Sequence, residues 1–436
     1  MTNLSTLRSK PVSECQSCLS GNHLKSLIFL GYVSPVNHML DLGSVPDAEV
    51  RFPLELISCQ GCGLVQIGYE VDQEILFPYS YPYLSGTTRI LRENFQNLAE
   101  EVIELFSLQV SDRVFDIGAN DGTLLNPFRE KGYPVLGIEP SQAAELAEKN
   151  GIPIIKDYFS LNSAKVVIEK YGFAKVITAA NVFAHMKDIH TVIEGVKHLL
   201  DTKGVFVSES HYLLDLVETL QYDTIYHEHL RYYSLHALVS LFERHGLEII
   251  RVKRIPTHGG SIRVYACRKG DYPVDDSVAL CLAEEKEKGL TSGTLLDSFR
   301  ERVIQSKLEL LKLLSDIKKQ KKRVFGVGAP SRATTLINYT GLDDGLIDSI
   351  VEVSSSHKLD KFIPGTRIPV VDEESLYTEQ PDYALLFSWH IAEELATNLV
   401  KRGFRGSFII PLPVPRIFHV NFAKDKANLS LSSMQA

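Results

Sequence analysis

The stretch RVFDIGANDGTLL, starting at Arg113, constrains the fold of this chain more than any other. An apolar run carrying one acid, Asp116, breaks at Gly118 and Gly122 and then resumes. This reads as a strand, a tight turn and a helix, whose glycines let backbone approach a ligand closely. Asn120 and Asp121 stand inside the turn. The next apolar run, PVLGIEP, ends in Glu139 and Pro140, with Glu139 falling 21 residues after Gly118. An acid at that point of a doubly wound sheet binds ribose hydroxyls. Further strands are expected at Ile152–Lys156, with Asp157 directly after, at Lys175–Ala179 and at Gly204–Ser208. LEIIRVKRI and SIRVYACRK close the unit as an antiparallel pair.

Seven strands ending in such a pair follow the order of a class I S-adenosylmethionine methyltransferase. NAD enzymes share the glycine turn and the acid, but their GxGxxG fingerprint does not occur here. Ligands of such sheets bind at the carboxyl edge. AANVFAHMKD, residues 179–188, follows the fourth strand, so Asn181, Val182 and His185 are candidates to reach a cofactor or substrate. After the fifth strand comes DTIYHEHLRYYSL, with Tyr226, His227, Glu228 and His229 in a row. Histidine is the most accessible general base near neutral pH. A carboxylate beside it orients the ring, and a phenol can donate to a developing oxyanion. PTHGGSIR then offers His258, Gly260, Ser261 and Arg263, although a hairpin turn explains its glycines as well as a ligand does. Asp215 and Glu218, in the helix before the motif, read as solvated.

A chain of 436 residues exceeds one core and implies two or three domains. Its net charge of −8 argues against a general nucleic-acid or anionic-membrane binder. No apolar run reaches the roughly 18 residues of a membrane span, and the N-terminus lacks the apolar core of a signal peptide. Cys15, Cys18, Cys59 and Cys62 form two CxxC pairs, the spacing of a structural zinc site in a reducing compartment, so a cytoplasmic protein is expected. FPYSYPYLSGTT, residues 77–88, has two prolines that exclude a regular helix; its Tyr81 and Tyr83 suit either a lid or a packed loop. A helix from Arg89 to Leu108 follows.

Residues 274–322 carry an apolar stripe from Leu296 to Ile317 and read as long connecting helices ending in the solvated run KKQKKR. From Arg323, VFGVGAPSRATTL repeats the strand, glycine turn and helix, a ready phosphate site with Pro330, Ser331 and Arg332. Strands are expected at Ile347–Val353, Tyr383–Ser388 and Ser407–Pro411. SSSHKLDKFIPGTRIPVV between them reads as a polar loop offering His357 and Lys358, and Trp389 ends a strand where it could stack on a ring. The tail from Asn421 reads as loose. The expected domains are therefore a zinc-knuckle domain (1–75), a Rossmann-like methyltransferase sheet (76–270), a helical connector (271–322) and a second Rossmann-like α/β domain (323–425).

These motifs together resemble the three-domain, zinc-containing nucleotide-sugar C-methyltransferases. The resemblance spans almost the whole chain, through the paired CxxC knuckles, FPxxYPYxS, IGxNDGT, NVxAH, IYHEH, HGGSxR, GAPxR and HKxxKFxPGTxIPV. It implies methyl transfer from S-adenosylmethionine to C3, the carbon next to the ketone of a nucleotide-diphosphate-linked 4-keto-deoxyhexose. It further implies His229 as base, supported by Glu228 and Tyr226, with His185 and a tyrosine of Tyr81 and Tyr83 lining the same cavity. The GAPSR turn would hold the nucleotide diphosphate. SGTT stands where a second serine is the pattern, AAN where a doubled asparagine is common, and Asp116 where glutamate is usual. The nearest rival is an O- or N-methyltransferase of another small molecule, which would share fold and cofactor. A monomer or weak oligomer is expected.

Overall fold

The computed structural model describes residues 9–44, 49–77 and 84–420. Tyr81, Tyr83 and the tail from Asn421 lie outside these. The chain forms two compact units. One takes residues up to Tyr32, Phe52–Glu218 and His227–Arg300; the other takes Val33–Arg51, Thr219–Tyr226 and the residues from Glu301.

The first unit is built on seven strands: β1 (Val114–Ile117), β2 (Val135–Ile138), β3 (Ile154–Ile155), β4 (Ala174–Ala180), β5 (Leu200–His211), β6 (Leu247–Ile255) and β7 (Ser261–Arg268). Their order is β6-β7-β5-β4-β1-β2-β3. Strands β1 to β5 run parallel, and β7 is antiparallel to both its neighbours. Nearly continuous apolar strands such as β1 and β4 suit a sheet covered on both faces. Helix Arg89–Leu105 covers one face, with Leu91, Phe95, Leu98 and Val102 at helical spacing, buried in one cluster with Val114, Phe128 and Val176. Burial of each such side chain is worth about 1.5–3 kcal/mol. The helix stops short of Leu108 because Ser107 takes a left-handed φ of 47°. Strand β5 is longer than Gly204–Ser208, and its extension carries Glu209 and His211 to the carboxyl edge.

A smaller sheet in this unit orders Arg231–Tyr232, Val65–Ile67, Phe52–Cys59 and Leu24–Val33. Arg231 and Tyr232 pair with Gln66 and Val65, so the segment after His229 is an edge strand of the cysteine-bearing sheet. The connector is two helices, Asp276–Glu287 and Thr294–Lys319, the first capped by the Asp275 carboxylate on Ser277 N. The stripe Leu296, Phe299, Val303, Leu310, Leu314 and Ile317 is buried.

The second unit holds β8 (Val324–Val327), β9 (Ser349–Glu352), β10 (Lys361–Phe362), β11 (Pro369–Asp372), β12 (Tyr383–Leu386), β13 (Ser407–Ile410) and β14 (Arg416–Phe418). The order is β14-β13-β12-β8-β9-β11-β10, with Leu40–Asp41 on the outer edge of β10. Strands β10 and β11 lie inside the segment read as a polar loop, where prolines and a glycine disguise two short pairings. The unit also recruits distant chain. Asp41 pairs with Lys361 in the sheet and through a 2.8 Å ion pair, and Asp223 is buried against Arg332. The KKQKKR end is not simply solvated, since Lys318 pairs with Asp348 and Lys322 with Asp382. Among the described residues, no helix is long and apolar enough to cross a membrane.

Candidate functional site

At the end of β1, Gly118 has φ +71°, and a Cβ there would stand 2.6 Å from Val182 Cγ2. Only glycine lets the loop after β4 close over this turn. The Glu139 carboxylate accepts Asn120 N at 2.9 Å and Ser141 N at 2.8 Å, which fixes it, with Pro140 following, at the tip of β2. Asp116 is buried and accepts Thr178 Oγ1 at 2.6 Å; burial pushes its carboxyl up to about 7, with Glu139 and Glu209 adding to the shift. Asn181, in a left-handed φ of 57°, ends β4, and its Oδ1 is buried with no hydrogen-bond partner among the described residues. Asp157 is exposed and accepts Tyr158 N at 2.8 Å.

Two residues of the turn carry a second task. Asn120 Oδ1 accepts Ser85 N at 2.9 Å, and Asp121 Oδ2 accepts Gly86 N at 2.7 Å. A Cβ on Gly86 would come within 2.7 Å of Thr123 Oγ1 and 2.8 Å of Asp121 Oδ2, which explains glycine rather than serine in SGTT.

Next to this edge stands a row of imidazoles. His229 is 6% exposed. Its ring centroid lies 4.8 Å from that of His185 and 5.0 Å from that of His211, and His211 stacks on His258 at 5.5 Å. Burial holds His185 down to about 4, so its imidazole is neutral at pH 7. His229 is pinned by its neighbours: Leu230 N donates to Ala184 O at 3.1 Å, and the buried Arg231 guanidinium donates to Met186 O at 2.6 Å and Lys187 O at 2.8 Å. Arg231 thus ties the loop carrying His185 to the segment carrying His229. Neither Arg231 nor His211 was singled out from the sequence. Arg231 has no spacing signal, and His211 shows only once β5 is seen to extend.

Several candidates are placed elsewhere. His227 Nε2 donates to Pro53 O at 3.2 Å and its ring meets Phe52 edge-on, while burial holds it down to about 4, so its ring packs against the strand Phe52–Cys59. Arg263 is 1% exposed and spends its donors on Glu209 (2.5 Å), Glu101 (2.8 Å) and Asn94 (2.9 Å). Ser261 Oγ donates to Thr257 O at 3.0 Å. Gly260 is required because a Cβ there would strike the Asp215 side chain, and Asp215, far from merely solvated, is paired with Arg254. Glu218 is likewise paired, with Lys288 at 2.5 Å.

In the second unit, Tyr226 closes the segment Thr219–Tyr226. Asp223 accepts Arg332 Nε at 2.8 Å, Arg332 Nη2 at 2.9 Å and Trp389 Nε1 at 2.8 Å, and the guanidinium lies 5.0 Å over the Trp389 ring. Asp223 thus holds Arg332 and Trp389 side by side in this unit. Pro330 and Ser331 open helix Ser331–Thr340, and Lys358 Nζ donates to Ala329 O at 2.6 Å. His357 is exposed.

Cys15, Cys18, Cys59 and Cys62 bring four Sγ atoms within 4.8 Å of one another. Cys15–Cys62 and Cys18–Cys59 each measure 3.5 Å. A tetrahedron of about 2.3 Å zinc–sulfur bonds has edges of about 3.8 Å, so the donor set fits a four-thiolate zinc with no open position. Ser17 N and Cys18 N both point at Cys15 Sγ from 3.4 Å, stabilising thiolate there.

Family models match most of the chain: a zinc binding domain over residues 15–77, a methyltransferase domain over 90–252 and a C-methyltransferase C-terminal domain over 256–413. The C-methyltransferase NovU of Streptomyces niveus is 32% identical over 413 residues, which cover 94% of this chain and 97% of that protein. Among solved structures, magnesium protoporphyrin IX methyltransferase of Synechocystis PCC 6803 with bound SAM is 12% identical, covering 41% of this chain and 79% of that one, with a TM-score of 0.32. A S-adenosylmethionine-dependent methyltransferase of Clostridium acetobutylicum ATCC 824 is 13% identical, covering 41% and 92%, with a TM-score of 0.33.

Proposed function

This chain belongs to the C-methyltransferase family, and we propose that it methylates C3 of a nucleotide-diphosphate-linked 4-keto-deoxyhexose in the making of a branched deoxysugar. The observation that carries the reading is the buried imidazole of His229 beside the neutral His185, at the sheet edge that also carries the glycine turn. S-adenosylmethionine, when bound, supplies an electrophilic methyl group. The turn from Gly118 to Gly122, the Glu139 carboxylate, Asp116 and the unpartnered Asn181 Oδ1 are the groups offered to hold it. Structural zinc on the four thiolates supports the sheet that the Arg231–Tyr232 strand joins. Six cysteines without a disulfide, four of them in the thiolate site, suit a reducing, cytoplasmic setting.

A proton next to a ketone is weakly acidic, so a base must remove it while the oxygen is stabilised. His229 is that base. Glu228, its neighbour in the chain, stabilises the imidazolium. Tyr226 can donate a phenol proton to the enolate oxygen, and His185, neutral at working pH, lines the same cavity. Holding carbon and methyl in line accounts for much of the remaining acceleration. In the second unit, Ser331 and Lys358 are the groups offered to the nucleotide diphosphate, with Arg332 held beside them by Asp223.

Incubation with methyl-labelled S-adenosylmethionine and a panel of nucleotide-linked 4-keto-deoxysugars, followed by mass spectrometry, tests the reading. Label on a ring carbon supports it. Label on oxygen or nitrogen keeps the fold and rejects the enolate.

A further inference from the structure

The reaction proposed above leaves a proton behind on every turnover. The C–H bond breaks, and its electron pair forms the new C–C bond. The S–CH3 pair returns to sulfur, converting a sulfonium cation to a neutral thioether. One H+ is then left on His229, which must lose it before the next cycle. Yet His229 is 6% exposed, so its proton needs a carrier.

Three rings stand around it: His185 at 4.8 Å, His211 at 5.0 Å and Tyr232 at 6.1 Å. Tyr232 is 1% exposed and offers no way out to solvent. His185 is partly exposed, but its imidazolium is disfavoured and its other ring neighbour, Phe77, cannot carry a proton. His211 is the imidazole that remains. It is partly exposed, and it stacks at 19° on His258, also partly exposed and two residues from the exposed Pro256.

We propose that His211 and His258 form an outward proton path for His229, His211 taking the proton and His258 passing it to solvent. The proposal rests on the reading of His229 as base. Rings with centroids about 5 Å apart can bring their nitrogens into hydrogen-bond reach directly or through one water. Backbone holds the row in place. His211 pairs with Ser261 in the β5–β7 register, Tyr212 N donates to Gly260 O at 3.2 Å, and Gly260 N to Thr257 O at 3.0 Å. His258 itself occupies a left-handed φ of 56°, a conformation that costs on the order of 1 kcal/mol and collects at working sites. Asp215, paired with Arg254, is the charged group packed against this turn.

The test is a single-turnover experiment in weak buffer with a pH-indicator dye, using zinc-loaded enzyme, S-adenosylmethionine and the 4-keto-deoxyhexose nucleotide that the panel identifies. Wild type should release one proton to solvent per methyl transferred, in step with transfer. His258→Ala and His211→Ala should keep cofactor affinity and first-turnover methyl transfer, while proton release and steady-state kcat fall by about 10-fold or more. Added imidazole should restore His258→Ala. Wild-type proton release in both variants, with His229→Ala inactive, overturns the path and leaves the base intact. A slow His258→Ala that imidazole does not restore also overturns it, since packing alone would then explain the loss. Full activity in His229→Ala instead removes the base reading itself. If His211→Ala fails to fold, His258→Ala decides alone.

Discussion

Replacing Arg263 with methionine separates a structural arginine from a substrate ligand. Its guanidinium is buried between Glu209, Glu101 and Asn94, and Glu209 is 0% exposed. Without Arg263, Glu209 keeps only the Asn94 amide, at 2.9 Å, among these partners. Removing one partner of a buried pair costs about 3–5 kcal/mol. The Glu209 carboxyl, already raised by burial, can escape by taking a proton. The sign in pH follows. A carboxyl held above its unfolded pKa binds protons more tightly when folded, so the deficit grows as pH rises from about 4.5 and shrinks in acid. Urea unfolding at pH 5 and pH 8 should show a larger loss at pH 8. The double variant Arg263→Met with Glu209→Gln should recover at least half of it. Unchanged unfolding with only a raised KM would refute the reasoning and return Arg263 to the substrate.

Asp116 has a folded carboxyl pKa of about 7 against an ordinary 3.8, so its burial lowers stability progressively as pH rises through that window. Asp116→Asn should therefore unfold at higher urea than wild type at pH 8, by up to about 4 kcal/mol without cofactor, and gain little at pH 4; a loss at pH 8 contradicts this. Metal analysis should find one zinc per chain, and Cys59→Ser should abolish it and destabilise the fold; full stability without metal would refute the zinc role. Gly118→Ala places a methyl against Val182 in a backbone conformation that disfavours it, and should weaken cofactor binding by about 10-fold in calorimetry, with no change as the contrary result.

The parts written in local pattern were legible. The strands of the first sheet, the glycine turn, Glu139 and the cysteine pairs all declare themselves within a few residues. What escaped depends on partners far along the chain. Arg263 and Arg332 read as free donors because their acceptors, Glu209 and Asp223, lie 54 and 109 positions away. His227 looks equivalent to His229 until Pro53, 174 positions distant, takes its ring nitrogen. His211 is a lone histidine in sequence and becomes part of a row only when β5 runs on to the sheet edge. The recruitment of Val33–Arg51 and Thr219–Tyr226 by the C-terminal sheet uses contacts such as a short edge strand, a buried ion pair and the Thr335 Oγ1 bond to Ile225 O, none of which has a periodicity to read.

The most direct test of the central claim is single-turnover methyl transfer by wild type and His229→Ala, with the methylated atom located by NMR. A methyl on the ring carbon next to the ketone is expected, with a rate lower by about 10²-fold or more in the variant and unchanged cofactor affinity. Transfer at the full rate without His229, or a methyl on oxygen or nitrogen, would contradict it.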